Sequence, residues 1–193
     1  DTKTEEKREV PKSRQDVEFF VDGDIIRAWL YLPKNAPKKV PCIIMSQGFG
    51  GTKDGVVLDP YAQRFNEAGF AALTYDFRHF GESDGEPRQH FDTVKQYDDL
   101  RAAINYARGR DDIDPEKIDT VVLSHGHGDH VGGLSGFLQY QHGVTVYIPK
   151  SFPKRFKEEV GIMGADVEEV GGSVMIHPGV YTTGELGRSL KEQ

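Results

Sequence analysis

The residues best suited to chemistry lie in one short stretch, LSHGHGDHVGG, residues 123–133. His125, His127, Asp129 and His130 fall within six residues, and only glycines lie between the first three of them. Imidazole nitrogens and a carboxylate are good ligands for zinc, manganese and iron. Glycines beside them remove side chains that would crowd a bound ion. The stretch therefore predicts a divalent metal, zinc in the first place, held by these four side chains.

The elements around this stretch predict how it is positioned. Ile118–Leu123 is a short apolar run, typical of a buried strand, and residues around Leu134–Tyr140 form a short helical pattern. In open parallel sheets, ligand sites lie outside the carboxyl ends of the strands. We therefore expect the four candidate ligands at the carboxyl end of a central strand.

The rest of the chain alternates between strand and helix patterns. Val17–Val21 and Ile25–Leu32 flank Asp-Gly-Asp and predict a β-hairpin near the start of the chain. Asp92–Arg108 predicts a helix with one apolar stripe, formed by Val94, Tyr97, Leu100, Ile104 and Ala107. Further strands are predicted at Val40–Ser46, Ala71–Asp76, Val144–Ile148, Val167–Val170 and Val174–Ile176, and further helices from Asp59 and over Phe152–Val160.

This alternation predicts the α/β class, as a three-layer sandwich with a mostly parallel sheet and the N-terminal hairpin at one side. Residues 1–15 are polar and without period, so we assign them to a flexible arm. Residues 16–193 then form a single α/β domain. A sheet this short would leave an edge strand uncovered, and self-association through that edge would give a homo-oligomer.

The charge and composition of the chain limit the classes of partner that it can bind. The net charge of −7 argues against nucleic acid as a partner, because a phosphate backbone requires a basic surface. No apolar run approaches the length of a membrane span. Cys42 is the only cysteine, which excludes an internal disulfide and a cysteine-based zinc site. We recognise no secretory signal and expect a cytoplasmic protein.

Three stretches of the first part resemble the α/β-hydrolase family, in particular its esterase and dienelactone-hydrolase-like members. They are CIIMSQGFGGTKD, LTYDFRHFGESDG and FDTVKQYDDLRAAINYARGRDDIDPEKI, and together they extend the resemblance over residues 17–118. The family would next present a strand and a G-x-S-x-G nucleophile elbow. Here the chain reads DTVVLSHGHGDHVGGL instead.

That replacement resembles the metallo-β-lactamase superfamily, whose signature is H-x-H-x-D-H at the end of a strand. VTVYIPKSF and HPGVYTTGELG extend this second resemblance over roughly residues 113–193. The hexapeptide IDPEKI, Ile113–Ile118, would suit either family. We therefore interpret the chain as a chimera: a hydrolase-like part, 16–118, joined to a metallo-β-lactamase-like part, 119–193.

The second resemblance implies roles for the candidate ligands. His125 and His127 would face one metal, and Asp129 and His130 a second. Asp129 would then also belong to the catalytic residues. Such a centre would act on a small ester, amide or phosphate. The further histidine, bridging aspartate and last histidine of that family have no counterparts here, and neither His142 nor His177 stands in their place.

Two alternatives stay open. Ser124 falls at the position of the hydrolase nucleophile, with Gly126 as the second elbow glycine but Val122 in place of the first. A serine esterase remnant would also need a base and an acid, and Asp166 and His177 keep that order along the chain. The other alternative is a folded chimera without catalytic activity.

Overall fold

A computed structural model describes residues 11–34, 39–48, 50–55, 58–117, 119–124, 126, 131 and 133–184. The strands are β1 Arg14–Val21, β2 Asp24–Tyr31, β3 Cys42–Met45, β4 Ala71–Tyr75, β5 Thr120–Val122, β6 Thr145–Pro149, β7 Asp166–Val170, β8 Met175–His177 and β9 Val180–Tyr181. The helices are α1 Leu58–Glu67, α2 Thr93–Arg108, α3 Leu134–Tyr140 and α4 Lys154–Ile162, with a 3-10 turn at Pro115–Lys117.

The first sheet has the strand order β1-β2-β4-β3. β1 and β2 form the predicted hairpin, and its turn uses positive φ at Asp22 (51°) and Gly23 (94°). That conformation suits the right-handed twist of the two strands. Because β1 begins at Arg14, Arg14 and Gln15 belong to the sheet and not to the arm that we assigned to residues 1–15. Residues 1–10 lie outside the described residues.

Helices cover both faces of this sheet. Alternate residues of β4 point to opposite sides: Leu73 and Tyr75 pack with Ala103 and Ala107 of α2, whereas Ala72 packs with α1. β3 runs parallel to β4, and β2 runs antiparallel to it. The α/β class, the three layers and the N-terminal hairpin are therefore confirmed.

α2 begins and ends as predicted, and its predicted apolar stripe is confirmed in part. The Asp92 carboxylate accepts hydrogen bonds from the amides of Val94 and Lys95 and caps the helix. Ile104 and Ala107 of the stripe are buried and Leu100 packs against the core, whereas Val94 at its start is exposed. The buried face also includes Asp99 and Ala103, which the stripe did not contain.

The second part of the chain has its own ladder and its own core. β5, β6 and β7 pair in parallel in that order, and α3 and α4 bury an apolar cluster against them that includes Leu138, Val146 and Ile148. Within the described residues, β5 pairs with β6 and shares no ladder with β3. The predicted single continuous sheet that includes Ile118–Leu123 is therefore not observed there, and Ile118 itself lies outside the described residues.

Two kinds of contact join the two parts. Val40, just before β3, forms a parallel bridge with Ile113, and both residues are buried. α2 also packs on α3: the ring of Tyr97 stacks on Tyr140 at 6.1 Å between centroids, and Arg108 donates a hydrogen bond to the side-chain oxygen of Gln141 at 2.9 Å. These contacts hold α3 against α2.

The end of the described chain forms a small antiparallel hairpin, β8–β9. It contacts the first sheet through His177, whose ring meets Phe70 edge-on at 5.2 Å. Among the described residues, no helix combines the length and the hydrophobicity that a membrane span requires.

The α2–α3 contact gives a first testable prediction. A β-carbon on Gly136 of α3 would lie 3.1 Å from the Tyr97 ring, whereas one on Gly161 of α4 would meet nothing within 4 Å. We expect Gly136→Leu to lower the free energy of unfolding by about 1–3 kcal/mol through overpacking.

The matched control is Gly161→Leu, which should leave stability unchanged or raise it by up to about 1 kcal/mol, because leucine is the better helix former. Urea unfolding of both variants measures the difference. Equal effects of the two substitutions would show that α3 does not pack on α2 as described.

Candidate metal centre

The four predicted metal ligands, His125, His127, Asp129 and His130, lie outside the described residues. What the structure describes is the frame on either side of them. β5 ends at Val122, and the amide of Leu123 still donates to the carbonyl oxygen of Tyr147 at 3.0 Å. α3 begins at Leu134, with Gly133 at its N-cap position. The candidate ligands are therefore carried by the connection between the carboxyl end of β5 and α3.

Gly126, in the middle of that connection, is described. A β-carbon on it would be 3.6 Å from the ring of Phe152, which follows the carboxyl end of β6. Gly126 therefore lies beside the carboxyl end of β6, where a β-carbon would be in ordinary van der Waals contact with the phenyl ring.

The parallel register separates the other polar residues into two edges of the second sheet. Thr120 of β5 pairs with Thr145 of β6, and Thr145 pairs with Asp166 of β7. Asp166 therefore lies at the amino edge. Ser124 lies four residues beyond Thr120, about 13 Å along an extended strand. Asp166 cannot reach Ser124, so the order Ser–Asp–His along the chain is not assembled in space.

The remaining histidines of the second part lie away from the carboxyl edge too. His142 precedes β6, and its Nδ1 would be 3.6 Å from a β-carbon on Gly164, which precedes β7. His177 packs on Phe70, which precedes β4. Since both contacts are at amino ends of strands, neither histidine stands beside the connection that follows β5.

Ser124 itself is exposed and lies two residues past the end of β5. Within the part of the chain that the structure describes, no three His, Cys, Asp or Glu side chains come together in a way that could hold a metal ion. A metal centre here would therefore have to be built mainly from the residues between Ser124 and Val131.

The structure also reveals a buried ionic group that sequence reasoning missed. The Lys53 ammonium is 2.7 Å from Asp76, whose other oxygen accepts a hydrogen bond from the Lys53 amide at 2.6 Å. Glu82 also pairs with Lys53. The group ties the loop after β3 to the turn after β4. The sequence contains one indication of this group, because Asp76 ends an apolar strand and burying an unpaired carboxylate there would cost free energy of folding.

A second buried ion pair involves one of two adjacent aspartates of α2. Asp99 is fully buried, whereas Asp98 is partly exposed. The Asp99 carboxylate accepts hydrogen bonds from the Arg78 amide at 2.8 Å and from its guanidinium at 2.6 Å. Burial raises the pKa of Asp99 to about 6, and the bonds from Arg78 oppose that shift.

The hydrolase-type loop after β3 is closed on itself. Gln47 donates from its side-chain amide to the carbonyl oxygen of Thr52, and a β-carbon on Gly51 would clash with Gln47 at 2.9 Å. His79 and His90 contact each other at 5.3 Å between ring centroids, with His79 buried and His90 exposed. Neither of these groups belongs to the connection after β5.

The sequence of the chain matches a known protein family. The profile of the metallo-beta-lactamase superfamily matches residues 84–187, more than half of the 193 residues. The chain belongs to the metallo-β-lactamase superfamily. The match starts well before the hexapeptide at Ile113–Ile118 where we placed the join. The superfamily likeness and the hydrolase likeness therefore overlap along the chain, and a junction at one point is not shown.

The chain is also similar to individual curated proteins. The chain is 41% identical over 122 residues to the quorum-quenching protein AidA of Acinetobacter baumannii (strain MDR-ZJ06), which covers 63% of this chain and 39% of AidA. It is 29% identical over 160 residues to polyketide transferase af380 of Aspergillus fumigatus, which covers 81% of this chain and 53% of that protein. The chain thus spans about two fifths to one half of these curated relatives.

Solved structures support the same fold. The α/β hydrolase GrgF from Penicillium sp. sh18 matches with a TM-score of 0.58 and 29% identity, over 78% of this chain and 50% of GrgF. DcsB in complex with its substrate analogue matches with a TM-score of 0.57, 28% identity and the same coverage. Est1E from Butyrivibrio proteoclasticus, at 17% identity and a TM-score of 0.53, shares the fold. The chain therefore shares the fold of α/β hydrolases.

The contribution of the buried Arg78–Asp99 pair to stability can be tested by mutation. Asp99→Ala should lower the free energy of unfolding by about 3 kcal/mol or more, because it leaves a buried guanidinium without its main partner. Asp98→Ala, one residue away, removes a partly exposed carboxylate 3.1 Å from Arg101 and should cost at most about 1 kcal/mol. Urea titrations of both variants measure the contrast, and equal losses would contradict the burial of Asp99.

Proposed function

We propose that the chain binds a divalent metal ion, zinc in the first place, through His125, His127, Asp129 and His130. The donor set supports the proposal, since neutral imidazoles and a carboxylate suit zinc, and manganese or iron are compatible as well. Membership of the metallo-β-lactamase superfamily supports it too. A bound ion would supply Lewis-acid chemistry toward a small ester or phosphate.

The observation that carries the proposal is the position of the connection that bears these residues. Along the chain it follows the carboxyl end of β5 and precedes α3, and its Gly126 lies beside Phe152 at the same edge of the sheet. Ligand sites of parallel sheets occupy this edge. The described histidines of the second part, His142 and His177, are at the amino ends of strands and compete for no position there.

The small number of candidate ligands also limits the hydrolytic activity that we expect. Few ligands beyond the connection are available in the described part of the chain, so the ion would be held by a short segment with little support from neighbouring side chains. Supporting hydrogen bonds orient metal ligands, and their loss commonly costs 10–100-fold in affinity or activity, as an order of magnitude. We therefore infer that hydrolysis of a small ester or phosphate is slow or absent.

The test is zinc binding by the metal-free chain, measured by calorimetry and by elemental analysis after desalting. His127→Ala should weaken zinc binding by about tenfold or more, on the scale expected even for the loss of a supporting group. His142→Ala removes a histidine at the opposite edge and should leave zinc binding unchanged. Equal zinc in wild type and His127→Ala would refute the proposal.

A serine esterase remnant is the second candidate, because the chain shares its fold with α/β hydrolases and Ser124 is exposed just past the carboxyl end of β5. If this candidate is right, Ser124→Ala should abolish activity on a short-chain aryl ester and labelling by a serine-directed phosphonate. Ser151→Ala, after the neighbouring strand β6, is the matched control. Unchanged activity in Ser124→Ala discards the serine, and if zinc binding also fails, a folded non-catalytic chain is the remaining interpretation.

Self-association through an open sheet edge stays a prediction. In the described part of the chain, β5 and β7 are the outer strands of the second sheet, and Asp166, Glu168 and Glu169 on β7 are exposed. Carboxylates on an edge strand oppose pairing with a second copy at neutral pH. Light scattering at neutral pH measures the oligomeric state directly.

A further inference from the structure

His79 is a buried histidine whose two ring nitrogens both have partners. It follows β4 and is 2% exposed. Nδ1 lies 3.0 Å from the carbonyl oxygen of Pro87, and Nε2 lies 3.0 Å from the ammonium of Lys95 in the first turn of α2. A carbonyl oxygen only accepts and an ammonium only donates. The ring is therefore neutral, with its proton on Nδ1 and the lone pair of Nε2 directed at Lys95.

The backbone of His79 organises the loop that joins β4 to α2, residues 80–92, called here the His79 loop. The His79 amide donates to the carbonyl oxygen of Asp84, and its carbonyl oxygen accepts from the Gln89 amide, both at 2.8 Å. A β-carbon on Gly85 would lie 2.9 Å from both the amide nitrogen and Nδ1 of His79. His79 adopts φ of 72°, a left-handed conformation that is rare for a residue with a side chain.

The charges around the ring oppose its protonation. Lys95 of α2 faces Nε2 directly, and His90 at the end of the His79 loop stacks edge-on against the ring. Asp24, at the start of β2, is the acid whose charge acts in the opposite direction. Burial, followed by the charge of Lys95, lowers the pKa of His79 below its ordinary value.

We propose that His79 is an acid-sensitive pin that holds the His79 loop on α2 while neutral and releases it when protonated. A proton on Nε2 replaces the acceptor that Lys95 needs with a second donor and sets two cations about 3 Å apart, a separation at which like charges repel strongly. The loop also contains Glu82, which pairs with the buried Lys53.

The sign of the pH dependence follows from the lowered pKa of His79. A histidine whose pKa in the folded chain is below its unfolded value of about 6.5 stabilises the closed loop above that pH. This contribution is lost as the pH falls through the lower, folded value. The device is therefore closed at neutral pH and opens in moderately acidic solution.

The experiment is hydrogen–deuterium exchange of the full chain between pH 7.5 and pH 5, corrected for the intrinsic pH dependence of exchange. We expect amides of residues 80–92 to exchange several-fold faster at the acidic end, because the protonated ring no longer accepts from Lys95 there. Amides of α1 should not change. His79→Gln should lose this acid response, whereas His90→Gln, the adjacent histidine control, should keep it.

Three results would overturn the proposal: no acid response in wild type, an unchanged response in His79→Gln, or its loss in His90→Gln. If His79→Gln leaves the loop open at every pH, nuclear magnetic resonance titration of the His79 ring in wild type decides the question. Titration together with loop opening, below the ordinary histidine range, supports the pin. Titration near pH 6.5 while the loop stays protected rejects it.

Discussion

The parallel register of β5, β6 and β7 is the constraint on which the account of this chain depends. Because Thr120, Thr145 and Asp166 are register partners, the described residues that immediately precede these strands lie at one edge of the sheet, and those that immediately follow them lie at the other. This register separates His142 and Asp166 from the connection after β5 without any reference to family. It also explains why the candidate chemistry is confined to one short segment.

The two apolar clusters are joined through few contacts, and this shapes how the chain can behave. The first is enclosed by α1 and α2, the second by α3 and α4, and the packing of α2 on α3 with the Val40–Ile113 bridge connects them. Buried ion pairs stiffen the first part, where Lys53–Asp76 and Arg78–Asp99 fix the loops after β3 and β4. In the described residues, the second part relies instead on apolar packing around α3 and α4, and its ion pairs are more exposed.

Much of the local structure was predictable because it depends on short-range chemistry. Asp-Gly between two alternating apolar runs predicts the hairpin, and Asp92 and Gly109 mark the limits of α2. Long-range facts were not predictable in this way. Asp99 is buried against Arg78, which lies 21 residues earlier in the chain. Asp98 beside it is partly exposed, although the two are adjacent aspartates that the sequence alone does not distinguish. In the described residues β3 and β5 share no ladder, and Asp166 lies at the amino edge of its sheet. Both facts depend on strand pairing between distant parts of the chain, which local sequence patterns do not encode.

The central claim is that a metal ion would be held by the segment between β5 and α3 and by nothing at the opposite edge. X-ray absorption spectroscopy of the zinc-loaded chain at neutral pH tests it most directly. The account predicts a first shell of imidazole nitrogens and oxygens near 2.0–2.1 Å, altered in His127→Ala and identical in His142→Ala. A sulfur shell near 2.3 Å, or a spectrum that changes in His142→Ala and not in His127→Ala, would contradict it.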